Sequence, residues 1–266
     1  MTTNTITGLE VADSAGVTTI RIRRPERRNA VDEGLLAAIA DALDDLPGGT
    51  RAVVLRGDEA AFSAGIDLGA ADALTDPVVA GRTIDAANRL VASVLAHPVP
   101  VVAVVEGACA GVAVPLALAA DVVIAAEGAY FQLAFTRVGL MPDGGATAIV
   151  AASVGRAEAM RLALLAERLD ACEAERRGLV ARVVAPLELD AAVAEVVGVF
   201  RAGPAAAFAR TKRAVNAATL DALGAAFARE REGQIALLGA SDFAEGALAF
   251  SEKRRPAFRD LPAGRG

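Results

Sequence analysis

The chain has 266 residues, 54% hydrophobic and 23% charged, a balance that builds a substantial core and excludes intrinsic disorder. Its 27 basic and 33 acidic residues leave a net charge of −6, without the basic excess of a nucleic-acid-binding face. One histidine (His97) and two cysteines (Cys109 and Cys172) exclude a His-rich metal site, a four-Cys zinc site and a disulfide framework, and point to a reducing, cytoplasmic compartment.

Met1 to Val11 carries Glu10 and no Arg-led apolar run, so no signal peptide is expected there. Val17 to Arg23 alternates with a period of two, Val17, Thr19 and Arg21 on one side and Thr18, Ile20 and Ile22 on the other, and predicts a strand. Arg24-Pro25 ends it. Asp32 reads as the N-cap of a helix running through Asp45, with Leu35, Leu36, Ile39, Leu43 and Leu46 at helical spacing. Pro47-Gly48-Gly49 stops that helix. Ala52 to Arg56 is a short strand, followed by the loop Phe62-Ser63-Ala64-Gly65-Ile66-Asp67. A helix is predicted over Asp76 to Ala96, and a buried strand over Val99 to Val105.

Val99 to Ala126 is apolar enough to raise the question of a membrane span. Glu106 and Asp121 leave only 14 residues between them, short of the ~20 that a span needs, and Pro115 lies inside. A strand, a turn and a buried helix around Gly111 to Ala119 are expected instead, then a strand over Val122 to Ala126. Pro142-Asp143-Gly144-Gly145 is a sharp turn that opens a helix from Ala146 to about Ser153. The pattern from Ala157 is mostly helical and the last third reads as all helix. Gly203-Pro204 is a hinge, dividing a core over 1–203 from a helical region over 204–266.

Chemistry here must rest on carboxylates, backbone amides or a bound cofactor. Four acids stand in apolar or glycine-rich surroundings: Asp67, Glu106, Asp121 and Asp143. Each is a structural cap or a functional acid. Asp143 departs furthest from the structural reading, because glycines flank it and a helix follows. The stretches Val53 to Gly65 and Val101 to Gly111 share a layout of strand, small residues and helix. Two such loops can aim backbone N–H groups at one carbonyl oxygen. There is no G-x-G-x-x-G run after a strand and no P-loop lysine. His97 reads as a junction residue and Cys109 as a packed hydrophobe. Asp67 and Asp121 read as loop-holding acids, Glu106 as a turn residue, and Tyr130 and Phe131 as core or pocket wall.

Three segments, Arg24-Pro25-Glu26-Arg27-Arg28-Asn29-Ala30, Phe62-Ser63-Ala64-Gly65-Ile66-Asp67 and Phe131 through Val138-Gly139-Leu140-Met141-Pro142-Asp143-Gly144-Gly145, together resemble the enoyl-CoA hydratase/isomerase, or crotonase, superfamily. Glu245-Gly246 through Phe250-Ser251-Glu252-Lys253-Arg254-Arg255 is similar to that family's closing helix. The likeness runs from about Thr5 to Asp260. It implies an α/β fold, a spiral of ββα units with a helical C-terminal trimerisation region, assembled as a homotrimer or hexamer. It implies an acyl-CoA thioester as ligand and no cofactor beyond the coenzyme A of the substrate, with no metal, nucleic acid or membrane partner. Carried over by motif, the oxyanion-hole amides are those of Ala64 and Val112, where the family usually has Gly at the second position. Arg28, Ala30, Gly65, Ile66, Asp67, Leu68 and Gly111 would cradle the ligand, and Phe250 and Lys253 would reach a neighbouring subunit's CoA.

The acids of a typical hydratase fall at Pro115 and Phe135, and neither side chain can carry a proton. Asp143 matches the single acid of some enoyl-CoA isomerases. The resemblance thus implies a double-bond shift through Asp143. Its alternatives are a non-catalytic acyl-CoA binder, a hydratase with atypical acids and, more remotely, a dehalogenase-type nucleophile.

Overall fold

A computed structural model describes residues 3–6 and 8–261, with side chains from Gly8 onward. The outer ends of the two expected segments, residues 1, 2 and 262–266, lie outside the described residues. The chain opens with the strands β1 (Thr3–Ile6), β2 (Leu9–Ser14) and β3 (Val17–Ile22), then the helix α1 (Glu33–Asp44). Next come β4 (Ala52–Arg56), β5 (Ala61–Ser63), α2 (Ala71–Leu74) and α3 (Pro77–Ala96). The middle carries β6 (Val101–Val105), β7 (Ala108–Ala110), α4 (Ala113–Leu118), β8 (Val122–Ala126), β9 (Tyr130–Gln132) and α5 (Ala146–Leu165). The chain closes with β10 (Leu169–Asp170), α6 (Ala171–Arg176), β11 (Arg182–Val184), α7 (Leu189–Ala202), α8 (Ala205–Thr219), α9 (Leu223–Leu238) and α10 (Ser241–Ser251).

Two sheets form. The larger has the order β1-β2-β3-β4-β6-β8-β11 and the smaller β10-β9-β7-β5. From β3 onward the large sheet is parallel, and β5, β7 and β9 are parallel in the small one. Each of the strand pairs β4–β5, β6–β7 and β8–β9 sends its first strand to the large sheet and its second to the small sheet. A helix follows each pair. That repeated step is the ββα spiral, and the fold is the mixed α/β architecture that the motifs implied.

The sequence pattern explains the elements. Thr18, Ile20 and Ile22 are buried while Val17, Thr19 and Arg21 are not, as the period of two requires. Asp32 caps α1, accepting from the Leu35 N–H at 2.9 Å, and Asp76 caps α3 through Val78 and Val79. Strand β6 is buried at every position, as expected for a parallel strand covered on both faces.

Several boundaries differ from the sequence reading. β6 starts at Val101 rather than Val99, because the Val99 N–H is held by His97 Nδ1 at 3.1 Å. The helix expected from Gly111 is the shorter α4, starting after Val112. α5 runs on past Ser153 to Leu165, with its helical path broken at Gly155, φ 77°. The last third is not all helix: β11 adds a parallel strand beside β8, from Arg182↔Ile124 to Val184↔Ala126. A three-residue strand has too little periodicity to stand out among helices. Gly203-Pro204 does separate two helices, and the chain bends there by 109°. No single described helix is long and apolar enough to cross a membrane.

Candidate active site

Three loops converge where the spiral turns back on itself. The first is the segment after β5. Gly65 has φ +89°, and a Cβ on it would lie 2.7 Å from the Ala110 carbonyl oxygen. Only glycine lets this backbone press against the second loop, which follows β7. The second loop meets the third at Gly144, φ +65°, where a Cβ would lie 2.9 Å from Val112 Cγ2 and 3.2 Å from Pro115. The stretches around Ile66, Val112 and Asp143 are therefore contiguous. They line one cavity of about 530 Å³, whose wall also includes Ile84 of α3, Gln234 of α9 and Phe250 of α10.

Among the residues of the two donor loops that line this cavity, Ile66 and Val112 have backbone N–H groups with no acceptor among the described residues. This corrects the expectation at Ala64. The Ala64 N–H is taken by the Arg28 carbonyl oxygen at 3.0 Å, and Gly65 donates to Ser63 Oγ at 3.1 Å. Residues Val31 and Ile66 form a parallel bridge, in which Val31 donates to Gly65 and Asp67 donates to Val31. That pattern leaves the intervening Ile66 amide free. The candidate donor pair is Ile66 and Val112, with the loop one residue further on than the motif reading had it.

Asp143 lies on the third loop, immediately beside the second. Its Oδ2 accepts from Gln234 Nε2 at 2.8 Å, and its Oδ1 is enclosed with no hydrogen-bond partner among the described residues. Burial pushes the carboxyl up to about 7. The Gln234 N–H opposes that rise and the nearby Glu230 charge adds to it. Asp143 is not the cap of α5: Gly145 holds the N-cap position, with no side-chain bond from it. That work falls to Glu230 of α9, 1% exposed, which accepts from the N–H groups of Gly145 at 2.7 Å and Thr147 at 2.8 Å. With the helix start satisfied by Glu230, Asp143 is left to face the cavity.

The other expected site residues divide. Arg28, Ala30, Ile66, Leu68 and Gly111 line the cavity. Gly65 does not line it, but it sets the approach of the two donor loops. Asp67 lines the cavity while accepting from Gly69 N–H at 2.9 Å and facing Arg24 and Arg27 at 3.4 and 3.6 Å, so it holds its loop. Phe250 lines the cavity of its own chain and is also exposed. Lys253 is exposed and is not part of that wall. Pro115 is buried behind Val112, and Phe135 is part of the lining.

Sequence reasoning missed Glu230, Gln234 and Asn29. Asn29 is fully buried in a left-handed conformation, φ 57°, and ties Arg24 N–H to the Ala61 carbonyl through its amide. The signal for the first two was present. Ala226, Glu230, Gln234 and Leu238 recur every four residues along α9 and are all buried. Two polar side chains on a buried stripe need partners, and those partners are the acid turn.

The remaining singled-out residues are structural. His97 closes α3, and its imidazole pKa is lowered by burial. The Cys109 thiol is buried, pushed up by desolvation, and donates to the Ala113 carbonyl at 3.3 Å. Asp121 accepts from Val101 N–H and from Lys212, and Glu106 pairs with Arg56 at 3.1 Å.

The sequence profile described as Enoyl-CoA hydratase/isomerase matches residues 12–261. The chain belongs to this family. It is similar to a probable enoyl-CoA hydratase of Rhodobacter capsulatus, at 41% identity over 92% of this chain and 95% of that protein. It is also similar to the 1,2-epoxyphenylacetyl-CoA isomerase of Escherichia coli, at 34% identity over 91% of this chain and 95% of that one. Among solved structures, an enoyl-CoA hydratase from Mycobacterium avium subsp. paratuberculosis matches with a TM-score of 0.88 and 46% identity, covering 95% of this chain and 99% of that chain. The crotonase-type fold and the acyl-CoA family are thereby established together.

Proposed function

We propose that this member of the enoyl-CoA hydratase/isomerase family shifts a double bond along an enoyl-CoA, using Asp143 as its single acid–base group. One observation carries the reading: a buried carboxyl whose Oδ1 has no partner among the described residues stands in the wall of the same cavity as Ile66 and Val112, whose N–H groups have no backbone acceptor there. The thioester oxygen accepts from Ile66 and Val112. Asp143 removes a proton from the acyl chain and returns it two carbons away, and the amides hold the negative charge in between. A donor of this kind contributes about 2.7–4 kcal/mol to the barrier reduction, and the base about 10²–10⁴-fold. A carboxyl near 7 suits a group that must both take and give a proton near neutrality. The absence of acids at Pro115 and Phe135 weighs against a two-carboxylate hydration.

Arg28 contacts the nucleotide end, and the only coenzyme is the CoA of the substrate. A homotrimer or hexamer in the cytoplasm belongs to the same reading. The lack of any buried residue on α8, with Val215 half exposed, supports contact between copies there. Asp143→Asn should lose at least about 100-fold in conversion of 3-enoyl-CoA to 2-enoyl-CoA while still binding acyl-CoA by calorimetry. Normal turnover in that variant would overturn the assignment. The name of the Rhodobacter capsulatus relative favours a second reading, hydration, in which Asp143 acts alone on water. Loss of the conjugated absorbance of crotonyl-CoA separates the two. Turnover on neither substrate, with binding intact, identifies a non-catalytic acyl-CoA binder.

A further inference from the structure

Asp143 is held along one edge only. Oδ2 receives the Gln234 amide at 2.8 Å, and Oδ1 receives nothing among the described residues. Gln234 has no freedom to turn its amide over. Its Oε1 accepts from the Met141 backbone N–H at 3.2 Å, and a backbone N–H can only donate, so the NH₂ end must face Asp143. Met141 and Asp143 stand two residues apart in one turn, so a single side chain fixes both the turn and the rotation of its acid. Gln234 is itself 2% exposed, and Glu230, one helical turn earlier on α9, holds the far side of the same turn through Gly145 and Thr147.

A donor locked against Oδ2 decides where a proton resides. In a carboxylic acid the carbonyl oxygen is the better acceptor, so the Gln234 N–H selects Oδ2 for that role and leaves the O–H on Oδ1. We propose that Gln234 is a positioning residue, holding Asp143 by Oδ2 so that Oδ1, the oxygen left without a partner, is the one that carries the proton in both directions. This rests on the double-bond-shift reading of the site. The C–H bond at carbon 2 breaks, its proton passes to Oδ1, and its electron pair enters a dienolate held by Ile66 and Val112. The Oδ1–H bond then breaks, carbon 4 takes the proton, and the thioester carbonyl is restored. No water, oxidant or reductant is consumed.

Glu230 is the other ionisable group acting on Asp143 from α9. Val112, Pro115 and Phe135 on the facing elements carry no charge, and Arg137 and Arg168 line the same cavity. The test uses Gln234→Met, which keeps length and helix propensity and removes both bonds. The midpoint of the Asp143 carboxyl is followed by ¹³C NMR in the substrate-free protein, its resonance assigned by loss in Asp143→Asn. The pH profile of kcat/KM is followed alongside with a 3-enoyl-CoA.

The Gln234 N–H favours the charged form, so its loss should raise the midpoint by about one pH unit and carry the acid limb of the rate profile with it. At pH 7, kcat should fall about fivefold with KM nearly unchanged. Gln234→Glu, which keeps an acceptor for Met141 and brings a like charge to Oδ2, should also raise the midpoint, and it decides the matter if the Met variant does not fold. An unmoved midpoint in a folded variant overturns the role of Gln234, whatever the turnover. A raised midpoint without turnover on any enoyl-CoA upholds the positioning and overturns the double-bond-shift reading instead.

Discussion

Asp143→Asn should stabilise the fold, and increasingly so as pH rises. Burial moves this carboxyl from an ordinary 3.8 to about 7. Between those values the folded chain keeps a proton that the unfolded chain has released. Stability of the wild type therefore falls as pH rises from about 4 to about 7, and levels off above. The separation is about three pKa units at 1.36 kcal/mol each, so the buried charge costs about 4 kcal/mol at pH 8, less where water reaches it. At pH 5 only about 1.5 kcal/mol of that cost is felt. Asparagine keeps an oxygen for the Gln234 N–H and carries no charge, while the Glu230 contribution is common to both proteins and cancels to first order. The stability difference should thus widen by about 2–3 kcal/mol between pH 5 and pH 8, or about 5–10 °C in Tm. Thermal unfolding of both proteins at the two pH values measures it. A gap that stays constant or narrows with pH refutes a carboxyl held protonated by burial.

Two more substitutions probe the frame around the site. Gly65→Ala places a Cβ 2.7 Å from the Ala110 carbonyl at φ +89°, so the loops bearing Ile66 and Val112 must separate. A loss of about 1–3 kcal/mol in stability is expected, with kcat reduced far more than affinity for a saturated acyl-CoA, as steady-state kinetics and calorimetry would read it. Glu230→Ala strips the acceptor from the Gly145 and Thr147 N–H groups. Urea denaturation should register a loss of about 2–4 kcal/mol, partly recovered in Glu230→Gln, which restores one acceptor oxygen.

Four strands of the large sheet were legible because they obey simple rules. β3 alternates, and β4, β6 and β8 are short continuous apolar runs between turn residues. The cap of α1 could be read from Asp32, and α3 was read one residue too long, with its cap Asp76 counted as helix. The small sheet was not legible: β5, β7 and β9 have three residues each, and their pairing is set by the spiral rather than by local pattern. The same limit applied to β11. At the site, Asp143 and Val112 were readable from glycine turns and motif order. The shift from Ala64 to Ile66 was not, since which amide stays free depends on what lies across from it. Here that is the Arg28 carbonyl for one and the bridging Val31 backbone for its neighbours. Glu230 and Gln234 lie 87 and 91 residues beyond Asp143 in sequence, so only the packing of α9 on the acid turn reveals them.

Pro115 and Phe135 bear on Asp143 in a second way. Carboxylates at those two positions would bring water and competing charge into this wall. As found, the wall beside the acid is apolar, with Pro115 packed near Gly144 and Phe135 in the cavity lining. Desolvation is the largest influence on the Asp143 carboxyl, ahead of any single neighbour. Apolar side chains at those two positions thus add no charge and no hydrogen-bonding group to the surroundings in which the Asp143 carboxyl is raised. A base between two carbon acids needs such surroundings, since a proton held on Oδ1 beside bulk water exchanges before it can be returned. Glu230 completes the arrangement from behind. By satisfying the start of α5 it removes the demand for Asp143 as a cap, the role a Pro-Asp-Gly-Gly turn would otherwise assign to it. A carboxylate released from capping and gripped on one oxygen has one unpartnered atom left, on a residue in the wall of the cavity that Ile66 and Val112 also line.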